Sequence, residues 1–156
     1  MIPRRRRKAL GGLLLGWALG GGAAHADLAL LDAWIQESPP GSRILAGYLT
    51  LENSGDEDRS LVKVASPHFA RVEIHRTVIA DDVARMEAQS RLDVPAGARL
   101  EMQPGGYHLM LVEPVTRMES GMQVEVTLEF DDRSAVTHAV EVRSHHGVGA
   151  HDHHHH

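Results

Sequence analysis

Two histidines and two methionines stand at a spacing that could bind a soft metal ion. His108 and Met110 are two positions apart in the apolar run "GGYHLML", and His75 and Met86 precede them to give the pattern His-x10-Met-x21-His-x-Met. Imidazole nitrogen suits copper and zinc alike, whereas thioether sulfur is a soft ligand that Cu(I) accepts and from which Zn²⁺ gains little. A set of this composition therefore indicates Cu(I) chemistry.

β-Strands are the elements that could position these side chains, because alternate residues of a strand point to the same face of a sheet. In "YHLML", Leu109 and Leu111 are expected to face the core, which leaves His108 and Met110 together on the opposite face. In "RVEIHR" the same alternation turns His75 away from the core. We therefore expect a shallow site on the outer face of a sheet.

Short runs of period two recur between turns rich in Gly, Pro and Asp, which predicts an all-β fold. The clearest is "QVEVTLEF", in which apolar and polar residues alternate strictly. The stretch "IADDVARMEAQ" is open to a helical turn, but a loop that re-enters a strand fits it better. The predicted strands are 28–36, 46–53, 61–65, 71–76, 85–87, 99–102, 108–112, 123–130 and 135–142.

Longer motifs add a family resemblance. The ligand spacing, "AGYLTLENSGDED" at 46–58, "DVPAGARLEMQPGGYHLMLV" at 93–112 and the closing "VEVTLEF" together resemble the periplasmic copper chaperones of the PCu(A)C family, over about residues 28–142. The resemblance implies a cupredoxin-like Greek-key β-sandwich that binds Cu(I) through His75, Met86, His108 and Met110. Many relatives carry further methionines just after the first histidine, and residues 76–79 of this chain contain none.

The resemblance also implies what the protein does with copper. It would deliver Cu(I) toward the CuA centre of cytochrome c oxidase, and its partner would be an apo copper-accepting oxidase subunit or another periplasmic copper chaperone. We expect a monomer and no enzymatic activity. The alternative is a periplasmic copper buffer or resistance protein that uses the same four ligands without a dedicated oxidase acceptor.

Composition excludes several other classes of protein. The chain has no cysteine, so a blue-copper electron-transfer site, which needs a cysteine thiolate, is ruled out. Neither an H-E-x-x-H zinc motif nor a G-x-S-x-G nucleophile elbow is present, which leaves a zinc or serine hydrolase unsupported.

Residues 1–26 have the pattern of a secretory signal peptide. A basic start at 4–8 is followed by an apolar stretch and by small residues at Ala24 and Ala26, so cleavage is expected near Ala26 and the protein is expected in the periplasm or otherwise exported. The apolar stretch is too short and glycine-rich for a convincing membrane span. Contact with a membrane is therefore expected only if this segment stays uncleaved as an anchor.

Removal of the signal would leave a mature chain of residues 27–156, in which residues 27–143 are expected to form one copper-binding β-sandwich domain. It takes away five of the 16 Lys and Arg residues and none of the 21 acidic ones, so the mature chain carries 11 basic residues and a formal charge of −10. No basic patch survives that could displace counterions from phosphates, which argues against a nucleic-acid partner.

Residues 144–156, "SHHGVGAHDHHHH", form a His-rich tail that is expected to be disordered because it has almost nothing to bury. The run is either a native metal-scavenging tail, which we favour, or a purification tag. Imidazole clusters without thioethers suit Cu(II), so the tail is a possible secondary Cu(II) site. Its histidines are His145, His146, His151, His153, His154, His155 and His156.

Neighbours of the four candidate ligands leave two questions open. Glu73 shares a strand face with His75 and is either a solvated carboxylate or a group that orients the imidazole. Tyr107 either covers the rim of the site or packs in the core. The residues expected in the core are Trp34, Tyr48, Phe69, Met102 and Phe130.

Overall fold

A computed structural model describes residues 28–144, and all of the regular structure in this range is β-strand. The predicted signal peptide at 1–26 and the tail histidines from His145 onward lie outside the described residues. Within that range no helix is long and apolar enough to cross a membrane. The strands are β1 (Leu28–Gln36), β2 (Ile44–Asn53), β3 (Arg59–Ala65), β4 (Phe69–Ala80), β5 (Val83–Ala88), β6 (Leu92–Val94), β7 (Arg99–Met102), β8 (Tyr107–Pro114), β9 (Gln123–Phe130) and β10 (Ala135–Arg143).

The strands form one hydrogen-bonded sheet in the order β5-β4-β8-β2-β1-β10-β9-β3-β6, and β7 pairs with β2 beside this path. These pairs are antiparallel except for β1 and β10, which run parallel. The sheet folds over on itself, because β3 also contacts β4 although they are far apart in the strand order. One apolar core lies inside the fold.

Alternation along the strands builds this core. On β9, Val124, Val126, Leu128 and Phe130 are all buried, and the polar residues between them are exposed or half-buried. Side chains of β2 and β8 extend the core in the same way. Phe69 and Met102 are buried as predicted, so period two correctly identified most of the inward-facing side.

The structure confirms the preferred interpretation of residues 79–89, a loop that re-enters a strand, and adds one short strand that was not predicted. Residues 79–89 contain no helical turn; β4 continues to Ala80, and Asp81 and Asp82 form a two-residue turn into β5. Both aspartates have positive φ, 51° and 60°, which is the backbone geometry of a type I′ hairpin. The three-residue strand β6 was not predicted, because so short a run carries little periodicity.

Trp34 and Tyr48 lie outside the core, contrary to the prediction. The register of β1 against β2 shifts between Leu31 and Trp34, and Asp32 in this bulge has a φ of 46°. The irregularity changes which residues face inward. Ile35 is buried in the core, and its neighbour Trp34 projects from the other face, where it packs on Tyr48 with 4.7 Å between ring centroids.

Candidate metal centre

The register of three neighbouring strands places the candidate ligands on one face of the sheet. His75 on β4 lies directly opposite His108 on β8. Two residues further along β8, Met110 lies opposite Glu73, which shares the face of His75. On the other side of β4, Met86 of β5 pairs with Thr77, which is also on that face. Residues far apart in sequence are thus gathered on the face opposite Leu109 and Leu111.

Burial differs sharply among the four side chains. His75 and His108 are only 9% and 6% exposed, whereas Met86 is 65% exposed and Met110 is half-buried. β4 has neighbours on both sides, so His75 is flanked by Ala88 and His108, while Met86 lies on β5 at the edge of the sheet. The face is therefore less shallow than the sequence suggested, since both imidazoles are enclosed.

A cavity of about 370 Å³ opens on this face. Met86, His108 and Met110 all line it, and His75 stands beside them without being part of its lining. The rest of the wall comes from the connection between β1 and β2, from β2 including Tyr48, from Thr77 and Leu109, and from the turn between β7 and β8. Tyr48, which was expected in the core, thus borders the candidate site, and the sequence reasoning missed this.

Each imidazole is held through one ring nitrogen only. His75 Nε2 lies 3.0 Å from Glu73 Oε2, and His108 Nδ1 lies 3.2 Å from the carbonyl oxygen of Gly106. The two rings are 6.0 Å apart between centroids and inclined by 53°. Both acceptors require an N–H donor, so in the neutral rings the proton lies on these two atoms, and His75 Nδ1 and His108 Nε2 carry the lone pairs.

These two remaining nitrogens are buried and have no hydrogen-bond partner within residues 28–144. A buried polar atom without a partner costs about 1–3 kcal/mol, so two of them on adjacent strands call for an explanation. A metal ion that accepts both lone pairs would supply one. Anchoring the distal nitrogen to a carboxylate or carbonyl is how metal-binding histidines are commonly oriented.

The carboxylate of Glu73 is hydrogen-bonded to two neighbouring side chains and is not simply solvated. Its Oε1 accepts a hydrogen bond from Arg71 Nε at 2.7 Å, and its Oε2 contacts His75. The hydrogen bond from Arg71, followed by that from His75, holds the pKa of Glu73 below its ordinary value of 4.5. The carboxyl group is an anion at neutral pH and acts only as an acceptor.

Two other residues near the site have clear positions. Tyr107 lies opposite Arg76, packs against the core and has the Arg76 guanidinium 5.4 Å from its ring centroid, so it faces away from His108. The carbonyl of Gly106 was not predicted as a partner of His108. The only sequence signal for it was the "PGG" turn directly before the strand.

Comparison with known proteins identifies the family. The sequence model of the LpqE-like family, described as "Putative lipoprotein LpqE-like", matches residues 28–142. A relative from Leifsonia xyli subsp. xyli, "Putative lipoprotein Lxx21020", is 33% identical over 117 residues, which cover 74% of this chain and 69% of that protein.

Solved structures agree with that match. "Copper-bound PCuAC domain from PmoF2" superposes with a TM-score of 0.64 at 26% identity, covering 76% of this chain and 93% of that one. The Cu(I) form of DR1885 from Deinococcus radiodurans superposes with a TM-score of 0.61 at 26% identity, covering 83% and 85% of the two chains. These findings confirm the resemblance seen in the sequence: the chain belongs to the LpqE-like family and has the cupredoxin-like fold of a PCuAC domain.

Proposed function

We propose that this domain binds one Cu(I) ion through His75, Met86, His108 and Met110 and passes it to another exported protein without chemical turnover. The observation that carries the proposal is the pair of buried lone-pair nitrogens, His75 Nδ1 and His108 Nε2, on the face that also holds both methionines. Two imidazoles and two thioethers form a ligand set that favours Cu(I) over Zn²⁺.

The relatives support the same cargo and location. The structure from PmoF2 is a copper-bound PCuAC domain, and that of DR1885 holds Cu(I). The family description, a lipoprotein, favours an exported protein. A thioether site suits an oxidising compartment such as the periplasm, because methionine, unlike cysteine, does not form disulfides.

The unequal burial of the ligands suits delivery as well as binding. The enclosed imidazoles would hold the ion. Met86 lies on the edge strand and is largely exposed, so it is the ligand that a side chain of the acceptor protein could most readily replace. We propose the CuA centre of cytochrome c oxidase as the final acceptor, reached directly or through a second periplasmic chaperone.

Binding is tested by titrating Cu(I) against a competing chromophoric chelator. We expect the exported chain to bind one more Cu(I) ion than His108→Ala under the same conditions. His138→Ala is the matched control, because His138 lies on β10, away from the β5-β4-β8 face, and its loss should change nothing. Equal stoichiometry in the exported chain and His108→Ala would reject the site.

Delivery is tested separately from binding. Copper-loaded protein is mixed with an apo CuA domain, the two are separated, and copper is measured in each. Movement of most of the copper to the oxidase domain supports the chaperone function. Retention of the copper by a protein that binds it well would instead favour the periplasmic copper buffer.

A further inference from the structure

Three alternate residues of β4 form a hydrogen-bonded row along the face of the candidate site. Arg71 Nε donates to Glu73 Oε1 at 2.7 Å, and Glu73 Oε2 accepts from His75 Nε2 at 3.0 Å. Residues two apart on a strand share a face, so the sequence spacing places these three side chains next to one another. The row ends at Nε2 of His75, and the other ring nitrogen, Nδ1, is the lone-pair atom.

The row commits both oxygens of Glu73. One oxygen is bound to a guanidinium and the other to an imidazole, so this carboxylate is poorly placed to bind a metal itself. Because an ionised carboxylate can only accept, the proton of the neutral ring must reside on Nε2 of His75. Nδ1 is then left as a bare lone pair in a buried position.

We propose that Arg71 and Glu73 are positioning residues that hold the His75 ring as its Nε2–H tautomer, with Nδ1 presented to the cargo ion. Arg71 fixes the carboxylate, and the carboxylate fixes the ring. The part of this inference that concerns copper rests on the proposed function, whereas the tautomer is a property of the metal-free protein and can be measured without copper.

His108 provides a natural contrast on the neighbouring strand. Its Nδ1 faces the carbonyl oxygen of Gly106, so its proton resides on Nδ1 and its free atom is Nε2. The two histidines would therefore present different nitrogens to the ion, Nδ1 from His75 and Nε2 from His108. A backbone carbonyl positions one ring and a side-chain pair positions the other, so only the His75 anchor can be removed by substitution.

The test compares Glu73→Ala and Glu73→Gln with Glu129→Ala. Glu129 also forms an ion pair on a strand surface, with Lys63 Nζ at 2.7 Å from its Oε1. It lies on β9, away from the candidate site. In ¹⁵N spectra of the metal-free proteins, the wild type should show a protected Nε2–H signal for His75. Glu73→Ala should lose that signal through exchange with water and move the ring shifts toward a mixture of tautomers, while His108 stays unchanged.

Copper affinity supplies the second readout. Glu73→Ala should weaken Cu(I) binding about 10–100-fold, the usual cost of losing a group that orients a metal ligand. Glu73→Gln keeps one acceptor oxygen for His75 Nε2–H but turns an NH2 group, which cannot accept, toward Arg71, so it should restore only part of the affinity and of the Nε2–H signal. Glu129→Ala should leave both unchanged, and its thermal unfolding serves as the reference for loss of an exposed ion pair.

Several results would overturn the inference. One is a His75 spectrum in Glu73→Ala that matches the wild type, and another is a Cu(I) affinity no lower than that of Glu129→Ala. A Gln variant as weak as the Ala variant would also count against positioning through a hydrogen bond. Should the wild type bind no Cu(I), the proposed function fails, and the spectra of the metal-free proteins still decide the tautomer.

Discussion

Met86 and Met102 are the same residue type, but their surroundings favour metal binding for Met86 and core packing for Met102. Met86 is 65% exposed on an edge strand beside His108 in the cavity wall, whereas Met102 is 3% exposed in the core. Thioether sulfur binds Cu(I), so Met86→Leu should reduce Cu(I) affinity. Loss of a group that only orients a metal ligand costs about 10–100-fold, and loss of a ligand should cost at least as much. The affinity of Met86→Leu for Cu(II), a harder ion, should fall far less.

The matched change in the core should give the opposite profile. Met102→Leu should cost less than about 1.5 kcal/mol of the free energy of unfolding and leave Cu(I) binding unchanged, because it nearly conserves volume. Met86→Leu should leave the free energy of unfolding unchanged. Chelator competition and urea denaturation measure the two quantities. Equal losses of Cu(I) and Cu(II) affinity in Met86→Leu would contradict the soft-ligand assignment.

Residue types were readable from the sequence, but their hydrogen-bond partners were only partly so. The alternation in "RVEIHR" put Glu73 on the same face as His75, yet it could not decide between a solvated carboxylate and a bonded one. That choice depends on the side-chain conformations of Arg71 and Glu73. The carbonyl of Gly106 belongs to the backbone of a turn, and no side-chain pattern reports its direction.

The β4–β5 hairpin positions Met86 and makes its turn a testable element. Asp81 and Asp82 both occupy the left-handed region, which Asn-Gly tolerates better than Asp-Asp. The double change Asp81→Asn and Asp82→Gly should raise the free energy of unfolding by about 1 kcal/mol and preserve Cu(I) affinity. Asp82→Val should destabilise by about 1–2 kcal/mol and weaken Cu(I) binding, because it strains the turn that pairs Met86 with Thr77.

Urea denaturation and Cu(I) competition check both hairpin variants. A destabilised Asp82→Val protein that binds Cu(I) as tightly as the wild type would show that the hairpin does not position Met86.

Strand β6 is short, and side-chain hydrogen bonds fasten it to β3. Asp93 accepts hydrogen bonds from Ser60 Oγ at 2.7 Å and from Arg91 Nε at 3.0 Å. The bond from Ser60, followed by that from Arg91, holds the pKa of Asp93 below its ordinary value of 3.8. A carboxyl group with a lowered pKa stabilises the folded state above its unfolded pKa, and this contribution is lost as pH falls through the folded value. Asp93→Asn should therefore lower the unfolding temperature at pH 7.

The difference from the wild type should shrink as pH falls below 3.8 and vanish once Asp93 is protonated in both states. Thermal unfolding from pH 7 to acid measures it, with the exposed Asp56→Asn as control. A difference that stays constant across this range would show that the charge of Asp93 contributes nothing.

Periodicity predicted long strands well and failed where geometry is irregular. Gln123–Phe130 was predicted to the residue because its two faces differ in polarity along the whole length. Trp34 was misplaced because alternation assumes a regular strand, and the bulge near Asp32 is encoded by backbone conformation rather than by polarity. The bulge therefore places Trp34 on the outer face, where it packs on Tyr48, a residue of the cavity wall.

The whole fold decides which distant segments become neighbours. β4 and β8 are adjacent in the sheet, although three strands lie between them in sequence, so His75 meets His108 only through the topology. Spacing alone could not have predicted that pairing, and it was the family resemblance that implied a common ligand set. The topology also puts β5 at the edge, which explains why one ligand is exposed while both imidazoles are enclosed.

The His-rich tail begins beside the segment that borders the candidate site. Ser144, the last described residue, lines a cavity with Gln36 and Glu37, and these two residues also contribute to the wall of the cavity that contains His108 and Met110. We expect imidazoles without thioethers to bind Cu(II), while the mixed site retains Cu(I). Deleting residues 144–156 should lower Cu(II) stoichiometry by about one ion or more and leave Cu(I) stoichiometry unchanged.

Equilibrium dialysis with each oxidation state measures both values. The control is a tail of the same length in which all seven histidines are replaced by serine, and it should match the deletion because imidazole, not chain length, binds the ion. If Cu(II) stoichiometry survives both changes, the Cu(II) ligands must belong to residues 27–143, and the division of the two oxidation states between tail and domain would be wrong.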